Sequence, residues 1–479
     1  MLKKSITYKL LAMGVLASLF WACTPPANLV NRDVNRSVPG QFANSQDTTN
    51  SAKTSWKTYF TDPYLAALID TALRNNQDLN VTLQDLQIAN NEVLTRAGAY
   101  RPFVTLGGGA SIDKVPRYTS QGASDAYTEI RPGKPTPEVL PNVFLGPTAT
   151  WEVDIWRKLR NAKKSAIASY LASVEGKNFV VTNLVAEIAN SYYELLSYDN
   201  QLAIIQTNIG ILNNALSITR QQKEAAKVTE LAVQRFEAEV FKTQAHQYEV
   251  QQQIVQTENH INYLMGRFPQ HVNRNADGFI QLTPPKIFAG VPTQLLENRP
   301  DIRQAELNLE AAKLDVQVAR ANFYPTLTLS ASLGLMAYNP LYLGNVPESI
   351  FASLAGGLAG PLINKNAITA TYRTASARQI QAIYNYEKAV LNAYVEVANQ
   401  LANIDNLEKK YGQKSNQVDA LNRSTGISLK LFTSARADYM EVLLTQRDVL
   451  EARIELIETR MQQMNALVNT YRALGGGWK

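Results

Sequence analysis

The stretch SAIASYLASVEGKNFVVTNLVAEIANSYYELLSYDNQLAIIQTNIGILNNALSITR, residues 165–220, places an apolar residue at every seventh position: Ile167, Val174, Val181, Ile188, Leu195, Leu202, Ile209 and Leu216. An unbroken register of this kind marks one seam of an α-helix that meets a neighbouring helix. At 1.5 Å of rise per residue such a helix reaches about 85 Å, far beyond those of ordinary globular domains. A period of seven in place of 3.6 further predicts helices that wind about each other. A globule with one core has no use for such an element; a rod or a tube does.

Working outward, no proline interrupts Thr148 to Phe268 or Leu362 to the end of the chain, so nothing breaks a helix there. Each run divides near its middle, around Gln222 to Thr229 and around Gly426 to Ala437. The second long helix keeps its own seam of Ile383, Val390, Val397, Ile404, Tyr411 and Val418. The return helices keep one too: Val233, Val240, Ile254 and Ile261, where Gln247 interrupts, and Leu443, Leu450, Ile457, Met464 and Tyr471. The opposing faces carry Gln, Asn, Ser, Thr and mixed charges, as the wall of a water-filled tube requires. A dimeric coiled coil has similar helices.

What precedes each run separates the two. A helix (about 80–99 and 302–322) ends at Pro102 or Pro325, and the apolar period then becomes two. Leu327, Leu329, Ala331, Leu333 and Leu335 alternate with Thr326, Thr328, Ser330, Ser332 and Gly334, a strand of transmembrane length with one greasy and one small polar face. Phe103 to Ile112 repeats this more weakly. Return strands are expected over about 143–155 and 349–360, with Ile350, Ala352, Leu354, Gly356 and Leu358 on one face. Residues 116–141, rich in Pro, Ser, Thr and Gly, read as an exposed loop. Four strands in two pairs are too few to bury their own greasy faces, whereas a barrel shared between chains has no such problem.

The two runs are diverged copies of one unit. A shift of 223 residues lays Leu73 on Leu296, Asn75 on Asn298, Asp78 on Asp301, Leu86 on Leu309 and Pro102 on Pro325; beyond the unequal loops a shift near 208 lays Gly266 on Gly475.

The chain has 479 residues, 45% hydrophobic and 18% charged, too polar for a bundle of membrane helices. Of the formal charge of +6, three units belong to Lys3, Lys4 and Lys9, the basic start of a signal peptide; the remaining +3 carries no nucleic-acid signal. Leu10 to Trp21 is that peptide's apolar region, too short for a membrane span. Leu19-Phe20-Trp21-Ala22-Cys23 resembles a bacterial lipoprotein cleavage box, which implies acylation of Cys23; Phe20 and Trp21 depart from the usual residues. With one cysteine there is no disulfide framework and no thiolate metal cage. Residues 24 to about 60 read as an extended tether without a periodic core face, and helical sequence begins at Asp62-Pro63. The organisation expected is a lipoprotein signal peptide over 1–22, a lipidated tether over 23–61, a first repeat over 62–268, an inter-repeat equatorial segment over 269–291 and a second repeat over 292–479.

The run Leu295-Leu296-Glu297-Asn298-Arg299-Pro300-Asp301-Ile302-Arg303-Gln304-Ala305-Glu306 and the later Phe323-Tyr324-Pro325-Thr326-Leu327-Thr328-Leu329-Ser330 resemble the signature of TolC-like outer-membrane factors, more narrowly the outer-membrane lipoproteins of RND-type tripartite efflux systems. Trp151-Glu152-Val153-Asp154-Ile155-Trp156 and the terminal Ala473-Leu474-Gly475-Gly476-Gly477-Trp478 match the same family. The resemblance implies a mainly α chain, internally duplicated, with four transmembrane β-strands and long coiled helices per protomer. It implies a homotrimer, with one β-barrel in the outer membrane and a periplasmic α-barrel. The partners implied are a periplasmic adaptor (membrane fusion) protein at the helical tips, an inner-membrane RND transporter and outer-membrane lipids. The rival readings are a duct for an ABC-driven type I protein exporter and, in another class, a lipid-tethered periplasmic coiled-coil structural protein.

No enzyme, cofactor or metal site is expected. His246 and His260 share a helix face but lie about 21 Å apart, His271 lies beyond them, and no one metal spans such a set. Pro300 suits the first turn of a helix, with Asp301 near its positive end. By resemblance the duct narrows just past the second helical turn, at Phe432, Met440, Leu444 and Arg447. Leu444 replaces the acidic gate residue of the family, so an apolar ring of Met440 and Leu444 that excludes water is expected, alongside the plainer reading of these residues as part of the Leu443 seam.

Overall fold

A computed structural model describes residues 32–42, 49–282, 284, 287–363, 365–434 and 436–478; the signal segment and Cys23 lie outside them. In chain order the principal elements are α1 (Pro63–Asn75), α2 (Gln77–Ala99), β1 (Phe103–Lys114), β2 (Val139–Val153), α3 (Lys158–Glu224), α4 (Glu230–Leu264), α5 (Pro300–Ala321), β3 (Thr326–Ala337), β4 (Ile350–Ala359), α6 (Asn366–Thr433) and α7 (Tyr439–Ala473). The order helix, strand pair, long helix, return helix occurs twice. Asp62 opens α1 by accepting from the Tyr64 N–H at 2.8 Å, ahead of Pro63. α2 and α5 stop at Ala99 and Ala321, just before Pro102 and Pro325.

The chain gathers into two compact units. One contains Ile88–Tyr170 and Leu307–Ile383. Its centre is an antiparallel sheet of order β1-β2-β3-β4. Val104 pairs with Ala149, Ala149 with Ala331, and Ala331 with Leu354, which fixes the faces across all four strands. Val104, Leu106 and Ile112 of β1, Val143, Leu145, Ala149 and Trp151 of β2, the alternate leucines of β3, and Ile350, Leu354 and Leu358 of β4 all fall on one side. Thr105, Ser111, Thr148, Thr150, Ser330, Ser332 and Ser353 fall on the other. The loop at 116–141 contains a short helix, Ser120–Asp125, and a small hairpin of Glu129–Arg131 with Lys134–Pro135. Below the sheet α3 lies against α5 through Asn161–Gln317 at 3.0 Å and Ser165–Asp315 at 2.6 Å.

The other unit contains Val34–Gln87, Leu171–Glu306 and Tyr384–Lys479. Its largest core joins Leu65, Leu68 and Ile69 of α1 to Ile188, Tyr192 and Leu195 of α3, Ile261 and Leu264 of α4, and Ile457, Leu467 and Tyr471 of α7. Burial along α3 is uneven: Ile188, Leu195 and Leu216 are buried, while Ile167 is exposed.

Three expectations need correction. The described residues 32–42 and 49–60 are not an extended tether without a core face. Val34, Val38 and Phe42 pack on Tyr386, Val390 and Ala393 of α6, Phe42 stacking on Tyr394 at 5.3 Å. Arg36 reaches Glu306 at 2.8 Å, and Trp56 and Phe60 enter the main core from a short helix, Trp56–Tyr59, ahead of Asp62. These are isolated apolar residues among polar ones, which leave no periodic trace. The second division of the helices falls toward the end of the expected range, because α6 runs through Gly426 to Thr433 and α7 begins at Tyr439. Asp301 does more than sit near a helix start, as the next subsection describes.

Candidate functional site

The sheet's apolar side is bare within the chain: Leu106 is 77% and Leu354 80% exposed. A twelve-residue strand such as β3 is about 40 Å long and, tilted near 45°, crosses about 28 Å, the depth of a membrane's hydrocarbon. Aromatic rings gather at the helix-proximal end. Trp151 Nε1 donates to the Tyr100 carbonyl at 3.2 Å; Trp156 Nε1 donates to the Pro325 carbonyl at 2.8 Å and its ring stacks on Tyr324 at 4.7 Å. Such rings, apolar in body with one polar edge, mark the headgroup level. β1 and β4 each have one neighbour, so both outer edges present unpaired N–H and C=O groups. Among the described residues no helix is long and apolar enough to cross a membrane.

In the helical unit the duplication builds the same clasp twice. Gly266, with φ +65°, closes α4 against the Asn75 carbonyl, and Gly475, with φ +89°, closes α7 against the Asn298 carbonyl. A Cβ at either would lie 2.4 or 2.6 Å from that oxygen. Beside the first, Asn76 Nδ2 donates to the Leu264 carbonyl at 2.8 Å; beside the second, Arg299 Nη1 donates to the Ala473 carbonyl at 2.7 Å. Arg299 is buried. It forks onto Asp301 at 3.0 and 2.8 Å and also reaches Glu396 at 2.8 Å, while Glu396 takes Arg472 at 2.8 Å. Burial pulls the Arg299 pKa down, and Asp301 with Glu396 outweighs it, so the guanidinium stays charged. The Arg-Pro-Asp motif is thus an ion-paired cap between helix ends, which its spacing alone did not reveal. A cavity of about 260 Å³ adjoins it, lined by Phe179, Thr182, Asn183, Glu396 and Arg472 among others.

At the turns from α3 to α4 and from α6 to α7, Leu212, Leu216, Val233, Phe236, Phe432, Val442 and Leu443 form one cluster. Phe432, at 5% exposure, is therefore part of the tip core. Met440 packs half-buried on the same cluster. Leu444 is 41% exposed, and Ile427 on the preceding helix, an apolar residue off the seam that no periodicity marks, is exposed as well. Arg447 forks onto Asp448 at 3.2 and 3.0 Å. In the first turn Ala226 holds a left-handed φ of 52° and Lys223 pairs with Glu230. Of the four gate candidates, Met440 and Leu444 present apolar surface, Arg447 is held by its neighbour, and Phe432 faces inward.

The histidines are dispersed. His246 pairs with Glu249 at 3.0 Å, His260 with Glu187 at 3.2 Å and His271 with Glu258 at 3.0 Å. Among the described residues no group of three or more His, Cys, Asp or Glu is placed to hold a metal.

Comparison with known proteins agrees with this anatomy. The outer membrane efflux protein family matches residues 68–267 and 291–476. The chain is 29% identical to the pyoverdine export outer membrane protein OpmQ of Pseudomonas aeruginosa, over 96% of this chain and 95% of that one. It is 26% identical to the cation efflux system protein CusC of Escherichia coli, over 92% and 93%. The crystal structure of a membrane protein from Pseudomonas aeruginosa superposes with a TM-score of 0.84 at 25% identity, covering 94% of this chain and all of that one.

Proposed function

This chain belongs to the outer membrane efflux protein family, and on that premise we propose that it is the outer-membrane exit duct of a tripartite pump, conducting solutes passively. Three copies join β1 of one to β4 of the next, closing the open edges into one barrel. Their long helices continue the conduit into the periplasm. Cys23 carries the lipid anchor. A periplasmic adaptor docks at the helical tips and an inner-membrane RND transporter supplies the energy.

The observation that carries this reading is the sheet, apolar on one side across four strands, mostly small and polar on the other apart from Phe144, Met336 and Phe351 toward the loops, and open at both edges. A soluble coiled-coil protein has no use for it. Relatives named for pyoverdine, toluene and cations share a similar identity with this chain, so cargo choice is assigned to the transporter. The wall selects little.

Two measurements test the proposal. The purified protein should form discrete aqueous channels in planar bilayers and migrate as a heat-modifiable oligomer; a monomer without conductance would sink it. Cys23→Ser should abolish labelling by radioactive fatty acid, and persistent labelling would remove the anchor from the picture.

A further inference from the structure

The helix-proximal end of the sheet is strongly basic. The segments 96–102, 152–166, 315–325 and 360–374 all adjoin that end and hold ten Lys and Arg against three carboxylates, Glu152, Asp154 and Asp315. Lys158 takes Glu152 at 2.6 Å and Arg160 takes Asp154 at 3.1 Å, while Asp315 accepts from the Ser165 hydroxyl at 2.6 Å. Arg101, Arg157, Lys163, Lys164, Lys365 and Arg373 form no ion pair among the described residues. The opposite end differs: loops 113–138 and 338–349 hold four basic residues against five acidic ones. The excess is therefore specific to one end.

Resting on the reading of the sheet as a membrane barrel, we propose that these six residues form a collar that binds anionic phospholipid headgroups in the leaflet facing the long helices. They follow directly on Tyr100, Trp151, Trp156 and Tyr324, whose rings sit where headgroups begin, and Lys and Arg stems lie along apolar surface with their charges at that level. A neighbouring copy cannot neutralise them, because its own segments at this height carry the same surplus, ten cations against three carboxylates. A phosphate-bearing leaflet can, and a basic group near such a surface gains on the order of fivefold in binding.

The test uses the full chain in lipid nanodiscs of mixed phosphatidylglycerol and phosphatidylcholine, with retained lipid read by native mass spectrometry. The wild-type oligomer should retain phosphatidylglycerol several-fold over its share of the mixture. Replacing the six residues with Gln should return the ratio to that of the bulk, and Lys163→Gln with Lys164→Gln alone should give an intermediate loss. Channel formation and heat-modifiable migration of the wild type report on the barrel separately. Equal retention of both lipids by the wild type overturns the collar. So does a Gln variant that keeps its phosphatidylglycerol but changes the anion-to-cation permeability ratio, since the charges would then line the water path.

Discussion

Gly475 seats the end of α7 against the main-chain carbonyl of Asn298 so closely that a single added carbon would stand 2.6 Å from its oxygen. Gly266 and Asn75 repeat the arrangement in the other half. Because both glycines also hold positive φ, Gly475→Ala or Gly266→Ala meets two penalties, the left-handed backbone and the collision. We expect a loss of at least about 2 kcal/mol for either, read as a lower melting temperature and less oligomer in membranes. Gly426→Ala, within α6 and with open space around it, should instead stabilise by about 0.5–1 kcal/mol.

Removing the Arg299 guanidinium strands Asp301 and the Ala473 carbonyl together and leaves Glu396 with Arg472 alone. Arg299→Met should cost about 3–5 kcal/mol, in thermal melts of the detergent-solubilised protein. Arg299→Lys should recover little of this, because an ammonium cannot fork onto Asp301 while also reaching the other two acceptors.

Leu444 and Phe432 are predicted to behave differently although both sit near the turn. Leu444→Glu should raise single-channel conductance or passive uptake of large antibiotics with little change in stability, since that side chain is exposed. Phe432→Ala empties a position in the tip core and should cost about 3–5 kcal/mol. Unchanged conductance in Leu444→Glu would remove the gate.

Burial, then the neighbouring Glu455, raises the Glu458 carboxyl above the usual carboxylate range, while Lys410 and His246 pull it down. Its native pKa therefore exceeds the unfolded one, and the fold binds the extra proton between the two values. This group's contribution to stability consequently falls as pH rises through that window. Glu458→Gln should flatten the slope and raise the melting temperature more at pH 7.5 than at pH 5.

Much of this was legible in one dimension because it rests on local rules. Pro102 and Pro325 end helices, the period of Leu327 to Leu335 switches to two, and the 223-residue shift already laid Asn75 on Asn298. What stayed hidden depends on partners distant in sequence. Arg299 and Glu396 are 97 residues apart, so the motif resembled a simple helix start. Phe42 lacks periodic company, and its place against Tyr394 follows from the folded surface. The basic excess leaves no mark in the sequence because its members come from four separate segments that only the sheet brings together.

The unlike caps at the two clasps have a structural consequence. An amide from Asn76 ties its junction to the end of α4 alone, whereas the guanidinium of Arg299 ties the start of α5 to both α6 and α7. One duplicated socket thus yields two fastenings of different reach, a rivet through two plates in the first half and through three in the second.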